Sequence, residues 1–261
     1  MTMKTALITG ASSGIGTAFA QELAMRQINL ILVARSQNKL YQLAEKLQHQ
    51  APIKVEVIVQ DLTDQQAAKK VYDTVAEKGL NVDFLVNNAG FGDYGAFTQR
   101  ELPRQVEMIQ LNIVALVELT YLFLSEMQQR GTGNIINVAS IAGFQPLPYL
   151  SVYAATKAFV LSFSEALWAE NKGTDINILA LCPGPTDSNF FNVADFPDSF
   201  INKNNSSLTL AKEVVKDAFK ALKNRKSNTI PGGFSNQFLV NSSRFLPREL
   251  LVNVIEKHFR G

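Results

Sequence analysis

From its first residues the chain alternates short runs rich in β-branched residues with longer stretches in which apolar residues recur three and four positions apart. Thr5–Thr9, Asn29–Ala34, Val55–Val59, Phe84–Val86, Ile135–Val138 and Ile176–Leu181 read as strands. Between and after them, Gly14–Arg26, Gln37–His49, Asp64–Lys78, Pro103–Arg130, Ser151–Asn171 and Ala211–Asn224 read as helices. Parallel strands need a crossover connection, and a helix usually supplies it. The alternation therefore predicts an α/β fold, a doubly wound parallel sheet with helices on both faces. At 261 residues the chain is long enough to bury a full core, and one domain over 1–261 is expected. In such sheets ligands lie at the carboxyl ends of the strands, so the residues leaving each strand carry the functional reading.

The first exit reads Thr9-Gly10-Ala11-Ser12-Ser13-Gly14-Ile15-Gly16. Glycines between a strand and a helix let the backbone turn tightly and approach a pyrophosphate at the helix N-terminus. The spacing G-x3-G-x-G departs from the standard dinucleotide fingerprint, and no Gly-Lys-Ser/Thr ending makes it a triphosphate loop. A purely structural turn is the alternative. About twenty residues on, where a carboxylate would take the 2′-hydroxyl of NAD, stand Ala34, Arg35 and Ser36. A guanidinium pairs with a 2′-phosphate, and Ser36 and Asn38 add hydrogen bonds, so NADP(H) is expected in preference to NAD(H). The alternative for Arg35 is a surface arginine at a helix start.

Tyr153 and Lys157 are spaced to project from one helix face, and Ser140 ends the preceding strand. A tyrosine titrates near ~10 in water and serves as an acid–base near neutrality only where its phenolate is favoured. A neighbouring ammonium and the positive nicotinamide ring of an oxidised cofactor both do that, which gives Lys157 a role. Alone, such a pair also fits a solvated helix face. Taken together, Thr9-Gly10-x-x-x-Gly14-x-Gly16, Asn87-Asn88-Ala89-Gly90, Ser140, Tyr153-x-x-x-Lys157 and Pro183-Gly184 resemble the short-chain dehydrogenase/reductase family. The resemblance runs from the first strand to about Thr186 and is looser in the last third.

The resemblance implies a Rossmann-like sheet of about seven strands, the last near Asn228–Ile230, and an oxidoreductase that moves a hydride between NADP(H) and a carbonyl or alcohol. It makes Tyr153 the proton donor and acceptor, with Lys157 lowering its pKa and holding the nicotinamide ribose. Ser140 bonds the carbonyl oxygen, and Asn112 binds a backbone and a water that links Lys157 to solvent. Ser12, Ser13 and Ile15 join the three glycines at the phosphates; Asp61, followed by Leu62, meets the adenine amino group. Asn87, Asn88, Ala89 and Gly90 line the adenosine side, and Pro183, Gly184 and Thr186 hold the nicotinamide. Read from the residues alone, Asn112 is also a polar position on an apolar helix, and Asp61 a helix cap.

The 25 basic and 23 acidic residues leave no electrostatic footprint for nucleic acid, and Lys220, Lys223, Arg225 and Lys226 read as the cationic end of a helix. Cys182 stands alone, which rules out an internal disulfide, and His49 and His258 lack ligand spacing, so no metal is expected. Met1–Gly10 has no signal pattern, and Ile113–Ser125 with its Glu118 is too short and polar to span a bilayer; a cytoplasmic protein without membrane contact is expected. Ile141–Tyr149 and a long surface loop over 185–208 carrying Phe190, Phe191, Phe196 and Phe200 predict an apolar pocket for a small carbonyl or alcohol, although such aromatics equally serve a core. The resemblance places Leu119, Phe123, Phe163 and Trp168 in a homodimer or homotetramer contact. Phe245–Phe259, at helical spacing, packs on the core, completes a subunit contact or touches a membrane surface. Two readings compete with a dehydrogenase or reductase. An NADP(H)-sensing binding protein would break the catalytic set that is complete here, and a sugar-nucleotide epimerase or dehydratase would put two residues, not three, between its first glycines.

Overall fold

Strand β1 (Thr5–Thr9) sends Ala6 and Ile8 to one face and Leu7 to the other, and all five of its residues are buried. β2 (Asn29–Ala34) repeats the pattern, with Leu30 and Leu32 on the first face and Ile31 and Val33 on the second. A period of two with both faces buried is what a central parallel strand requires. β3 (Val55–Val59), β4 (Phe84–Asn87), β5 (Thr132–Val138), β6 (Asp175–Leu181) and β7 (Asn228–Thr229) complete a seven-stranded sheet in the order β3-β2-β1-β4-β5-β6-β7. Every pairing is parallel. The predicted doubly wound, Rossmann-like fold is thus observed. This computed structural model describes residues 3–197, 208–233, 236–237, 240 and 247–259; Phe200, Asn202–Ser207 and Phe245 lie outside them.

The helices are α1 (Gly14–Met25), α2 (Gln37–Gln50), α3 (Ala67–Glu77), α4 (Leu102–Ile109), α5 (Leu116–Arg130), α6 (Ser151–Glu170), α7 (Phe190–Val193), α8 (Ala211–Lys223) and α9 (Arg248–Phe259). α1, α2 and α8 bury Phe19, Leu23, Leu40, Leu47, Val214 and Ala218 against one face of the sheet, with Phe19 edge-on to Phe219 at 6.0 Å. α3 and α5 cover the other face, where Leu167 and Trp168 of α6 also pack. The strand order reverses between β1 and β4, so the loops leaving these neighbours diverge and open a crevice at their carboxyl ends.

Several boundaries differ from the sequence reading for local reasons. The helix expected from Asp64 begins at Ala67, because Asp61 first closes a turn onto Thr63 and Gln66 adopts φ 60. The helix expected over Pro103–Arg130 is α4 and α5 joined by a π turn, Gln110–Ala115, which carries Asn112. Such wide turns recur at functional sites. That whole stretch, Leu102–Arg130, is 29 residues with a hydropathy of 1.6 in its most apolar window, so by length and composition it is capable of crossing a membrane, contrary to the reading of its middle alone. In the fold its inner face packs α3 and β5. Leu119 and Phe123, expected at a subunit contact, are 1% exposed and belong to this chain's own core. The segment over 185–208 is not a plain surface loop: Thr186 bridges Thr209, Phe190–Val193 form a helical turn, and Ala194 and Phe196 are buried.

Candidate active site

Gly10 (φ +62) and Gly14 (φ +54) turn the chain from β1 into α1 in the left-handed region that glycine tolerates. A β-carbon on Gly16 would lie 2.3 Å from the Gly10 carbonyl oxygen, so the loop folds back on itself only because that atom is absent. Ser13 is the N-cap of α1 and makes no side-chain capping bond. The first-turn N–H groups of α1 therefore gain no capping acceptor from Ser13, and this donor set fits a pyrophosphate. The Asn88 side chain, expected to face adenosine, instead braces this loop, donating to the carbonyls of Thr9 (2.9 Å) and Gly10 (3.2 Å). Buried Thr9 backs it: its Oγ1 accepts from the backbone N–H groups of Asn88 and Ala89, each at 3.0 Å.

At the next exit, Arg35 is exposed and its Nη1 lies 3.4 Å from Asp61 Oδ2. Burial works against the Asp61 charge, but the Thr63 N–H and hydroxyl and the Arg35 guanidinium outweigh it and hold the carboxyl below its usual range. Ser36 is the exposed N-cap of α2 and, like Ser13, caps nothing with its side chain. Arg35, Ser36 and Asp61 thus form a polar corner over the ends of β2 and β3. Leu62 follows Asp61 with its side chain buried in the cluster that α3 and α5 build on this face of the sheet. Farther along, Thr186 donates to the Gly184 carbonyl at 2.9 Å, and the Pro183 carbonyl accepts from Ile141 N–H at 3.0 Å, tying 183–186 to the turn after Ser140.

Ser140, Tyr153 and Lys157 meet at the end of β5. The Ser140 hydroxyl caps a 3-10 turn by accepting from Ala142 N–H at 3.1 Å and donates to the Pro183 carbonyl at 3.5 Å, close enough to the Tyr153 phenol to pull its pKa down. Lys157 is 5% exposed and donates to the Val138 carbonyl at 2.8 Å. Asn112, 1% exposed, donates to the carbonyl of Phe91 (3.0 Å) and to Thr156 Oγ1 (3.1 Å) and accepts from Phe91 N–H (3.1 Å). The backbone contact expected of Asn112 is therefore present. Thr156 passes the tie on, donating to the Tyr153 carbonyl at 2.8 Å. Gly90 fits between them, since a β-carbon there would stand 2.8 Å from Asn112 Oδ1 and 3.5 Å from Lys157 Nζ.

Burial sets the charge state of both groups. Burial pushes the Tyr153 phenol up to about 12, offset only in part by Ser140, and burial pushes the Lys157 ammonium down to about 8. Lys157 Nζ lies 5.8 Å from the Tyr153 ring centre and is committed to Val138, so the protein alone leaves the phenol neutral. Cys182, raised by burial, is the inert small hydrophobe its neighbours imply.

Around Tyr153 the walls are apolar. Phe91, Tyr94, Met108, Leu147 and Val152 meet Phe190, Phe191 and Phe196, with Leu251, Ile255 and Phe259 of α9 packed behind. Phe190, Phe191 and Phe196, three of the four aromatic residues expected to line a pocket, are thus in one cluster with Tyr153, and α9 packs on the same cluster. The segment after β4 was missed as a wall. Its Gly92 sits so close to Tyr153 and Phe190 that a β-carbon would lie 3.3 Å and 2.8 Å from their rings, and the second glycine of Gly90-Phe91-Gly92 was the available signal.

A sequence model of the short chain dehydrogenase family matches residues 4–195. The ketoacyl reductase HetN of Nostoc sp. is 32% identical over 231 residues, 88% of this chain and 79% of that protein. The very-long-chain 3-oxoacyl-CoA reductase of Anas platyrhynchos is 37% identical over 184 residues, 68% of this chain, and the match spans 58% of its own length. Among solved structures, a short-chain dehydrogenase from Sphingobium yanoikuyae in complex with NADPH aligns with a TM-score of 0.82 at 32% identity, covering 93% of this chain and 94% of that one. The family match takes in the glycine turn, the Ser140, Tyr153 and Lys157 cluster and the aromatic segment above it; this chain belongs to the short-chain dehydrogenase family.

Proposed function

We propose that this protein is an NADP(H)-dependent reductase of apolar carbonyl compounds, able to run in reverse on the corresponding alcohols. The observation that carries the reading is the convergence of Ser140 and Tyr153, with Lys157 beneath, on one buried point enclosed by aromatic side chains. Gly10, Ser12, Ser13, Gly14, Ile15 and Gly16 would hold the pyrophosphate, Arg35 and Ser36 the 2′-phosphate, and Asp61 the adenine. Ala89 and Gly90 would line the adenosine side, and Pro183, Gly184 and Thr186 the nicotinamide. When bound, the dinucleotide supplies the hydride.

Within the protein, the Ser140 hydroxyl orients the carbonyl oxygen and the neutral Tyr153 phenol donates its proton to that oxygen. A phenol kept neutral by burial is already in the state reduction needs. Lys157 holds the ribose and replaces the proton that Tyr153 gives up, and Asn112 fixes the Phe91 backbone against α6 so that the pocket wall keeps its distance from the phenol. The oxoacyl reductases among the relatives support a carbonyl on an apolar chain as substrate. A cytoplasmic homodimer or homotetramer is the accompanying proposal, with exposed Leu102, Val106, Ile109 and Phe159 in the contact instead of buried Leu119 and Phe123.

The test is NADPH oxidation across aldehydes, alkyl and aryl ketones and 3-oxoacyl thioesters, with NADH in parallel. Turnover of apolar members with NADPH favoured is expected. Silence throughout, with NADPH tightly bound, would replace the reductase by the sensor reading.

A further inference from the structure

Phe190 covers the phenol that the proposed chemistry uses: its ring centre lies 5.2 Å from that of Tyr153, and Tyr153 is 9% exposed. Any carbonyl compound larger than a few atoms has to move this ring to reach the site. What holds it is polar. The segment carrying Phe190 is fastened by Val193, Ala194 and Asp195: the Val193 carbonyl accepts from Arg104 Nη2 at 2.6 Å, the Ala194 carbonyl from Tyr94 N–H at 2.7 Å, and Asp195 Oδ2 from Arg100 Nη1 at 3.0 Å. Asp195 ends the helical turn at φ 60, a conformation that Asp and Asn tolerate better than most residues.

The two arginines are themselves fixed by one carboxylate. Asp93, whose side chain is 0% exposed, takes Arg100 Nη2 (2.6 Å), Arg100 Nε (3.0 Å), Arg104 Nε (2.8 Å) and Gln105 Nε2 (2.5 Å). A two-pronged bond to Arg100 orients its remaining nitrogen outward, and a buried counter-charge keeps both guanidinium groups in place. None of these hydrogen bonds and ion pairs involves Ser140, Tyr153 or Lys157. Its free ends point at the covering segment.

We propose that Asp93 positions Arg100 and Arg104 as a latch that holds Phe190–Phe196 shut over Tyr153, and that release of this latch admits the apolar substrate. The gating half rests on the reductase reading; the latch does not. Asp93 is a positioning residue, acting through the arginines. Since the Arg100–Asp195 pair is solvent-facing, salt screens it, whereas the Asp93 contacts are shielded. A site whose open state is a minority binds its ligand more weakly by that fraction, so loosening the latch lowers KM for a bulky ketone.

Hydrogen exchange read by mass spectrometry on the full chain tests the latch directly. Asp195→Asn keeps the backbone preference and removes the charge; Arg104→Met removes the guanidinium that lies over Phe91 together with its bonds to Val193 and Asp93. Both are expected to speed exchange of the amides in 190–196 by about three- to tenfold, the scale of losing one net hydrogen bond at a solvent-facing position, with β1, β4 and β5 unchanged. High salt is expected to speed the same amides in the wild type and not in Asp195→Asn. Unchanged exchange over 190–196 in Asp195→Asn and Arg104→Met overturns the latch, and should Arg104→Met loosen the whole sheet, Asp195→Asn decides. With NADPH and a diaryl ketone, Asp195→Asn is expected to lower KM several-fold and to change kcat less. An unaltered KM beside faster exchange overturns the gating half. Failure of the wild type to reduce any carbonyl defeats the functional reading and leaves the exchange result to judge the latch.

Discussion

Lys157 Nζ is bonded to the Val138 carbonyl, 2.8 Å away at the end of β5. Its charge is thereby held by the strand that also delivers Ser140, and burial brings its pKa down to about 8.

This makes Lys157 a cost to stability at neutral pH. Between about 8 and the unfolded value near ~10.4 the unfolded chain holds a proton that the folded chain has released, so stability rises with pH across that window. Lys157→Met should remove this rise and lift Tm at pH 7, by about 2–4 °C for each kcal/mol relieved, while abolishing turnover. Thermal melts from pH 6 to 10 check it; a variant less stable at pH 7, with the rise intact, contradicts it.

Asp93 behaves in the opposite sense. Burial opposes its charge, but hydrogen bonds and charge from Arg100 and Arg104 prevail and lower its pKa, so its contribution is complete above about pH 4 and fades as pH falls through the folded value. Asp93→Asn leaves Arg104 without its carboxylate and Arg100 with only the exposed Asp195, and should cost about 3 kcal/mol at pH 7. The gap from wild type should narrow below about pH 4, which urea melts at pH 7 and pH 3 would show.

Arg35→Ala should raise the NADPH dissociation constant by about 10- to 100-fold, the worth of its bonds to a phosphate, and alter NADH binding little. Titration of both cofactors by fluorescence decides. Equal losses for the two would assign Arg35 to the Asp61 corner and not to the 2′-phosphate.

For Gly16→Ala, the new methyl meets the Gly10 carbonyl at 2.3 Å and Asn88 Nδ2 at 2.7 Å, and the first of these is backbone that has little room to yield. A loss of about 1–3 kcal/mol in stability is expected, together with NADPH affinity, in melts and titrations of the same preparation.

Much of this was legible because it is local or periodic. β1 and β2 announce themselves by alternation, and the glycine turn, Ser140 and the Tyr153–Lys157 pair by their place at strand ends. What escaped depends on long-range geometry. No spacing rule shows that Asp93 will collect Arg100, Arg104 and Gln105 or that these will reach Asp195 across the chain. The π turn at Asn112 hides inside an unbroken helical pattern, and Leu119 and Phe123 face inward because the helix is anchored by α3, which its own sequence does not reveal. The place of the Lys157 ammonium was hidden for a related reason. Proximity in sequence placed Lys157 beside Tyr153, while the fold gave its ammonium to Val138.

Single-turnover reduction by the Tyr153→Phe variant, with NADPH and a carbonyl compound that the wild type reduces, addresses the central assignment. The hydroxyl is removed while the ring that packs against Phe190 stays. The rate should fall by at least about 100-fold with NADPH affinity within about twofold of wild type. A rate near that of the wild type would contradict Tyr153 as the proton donor.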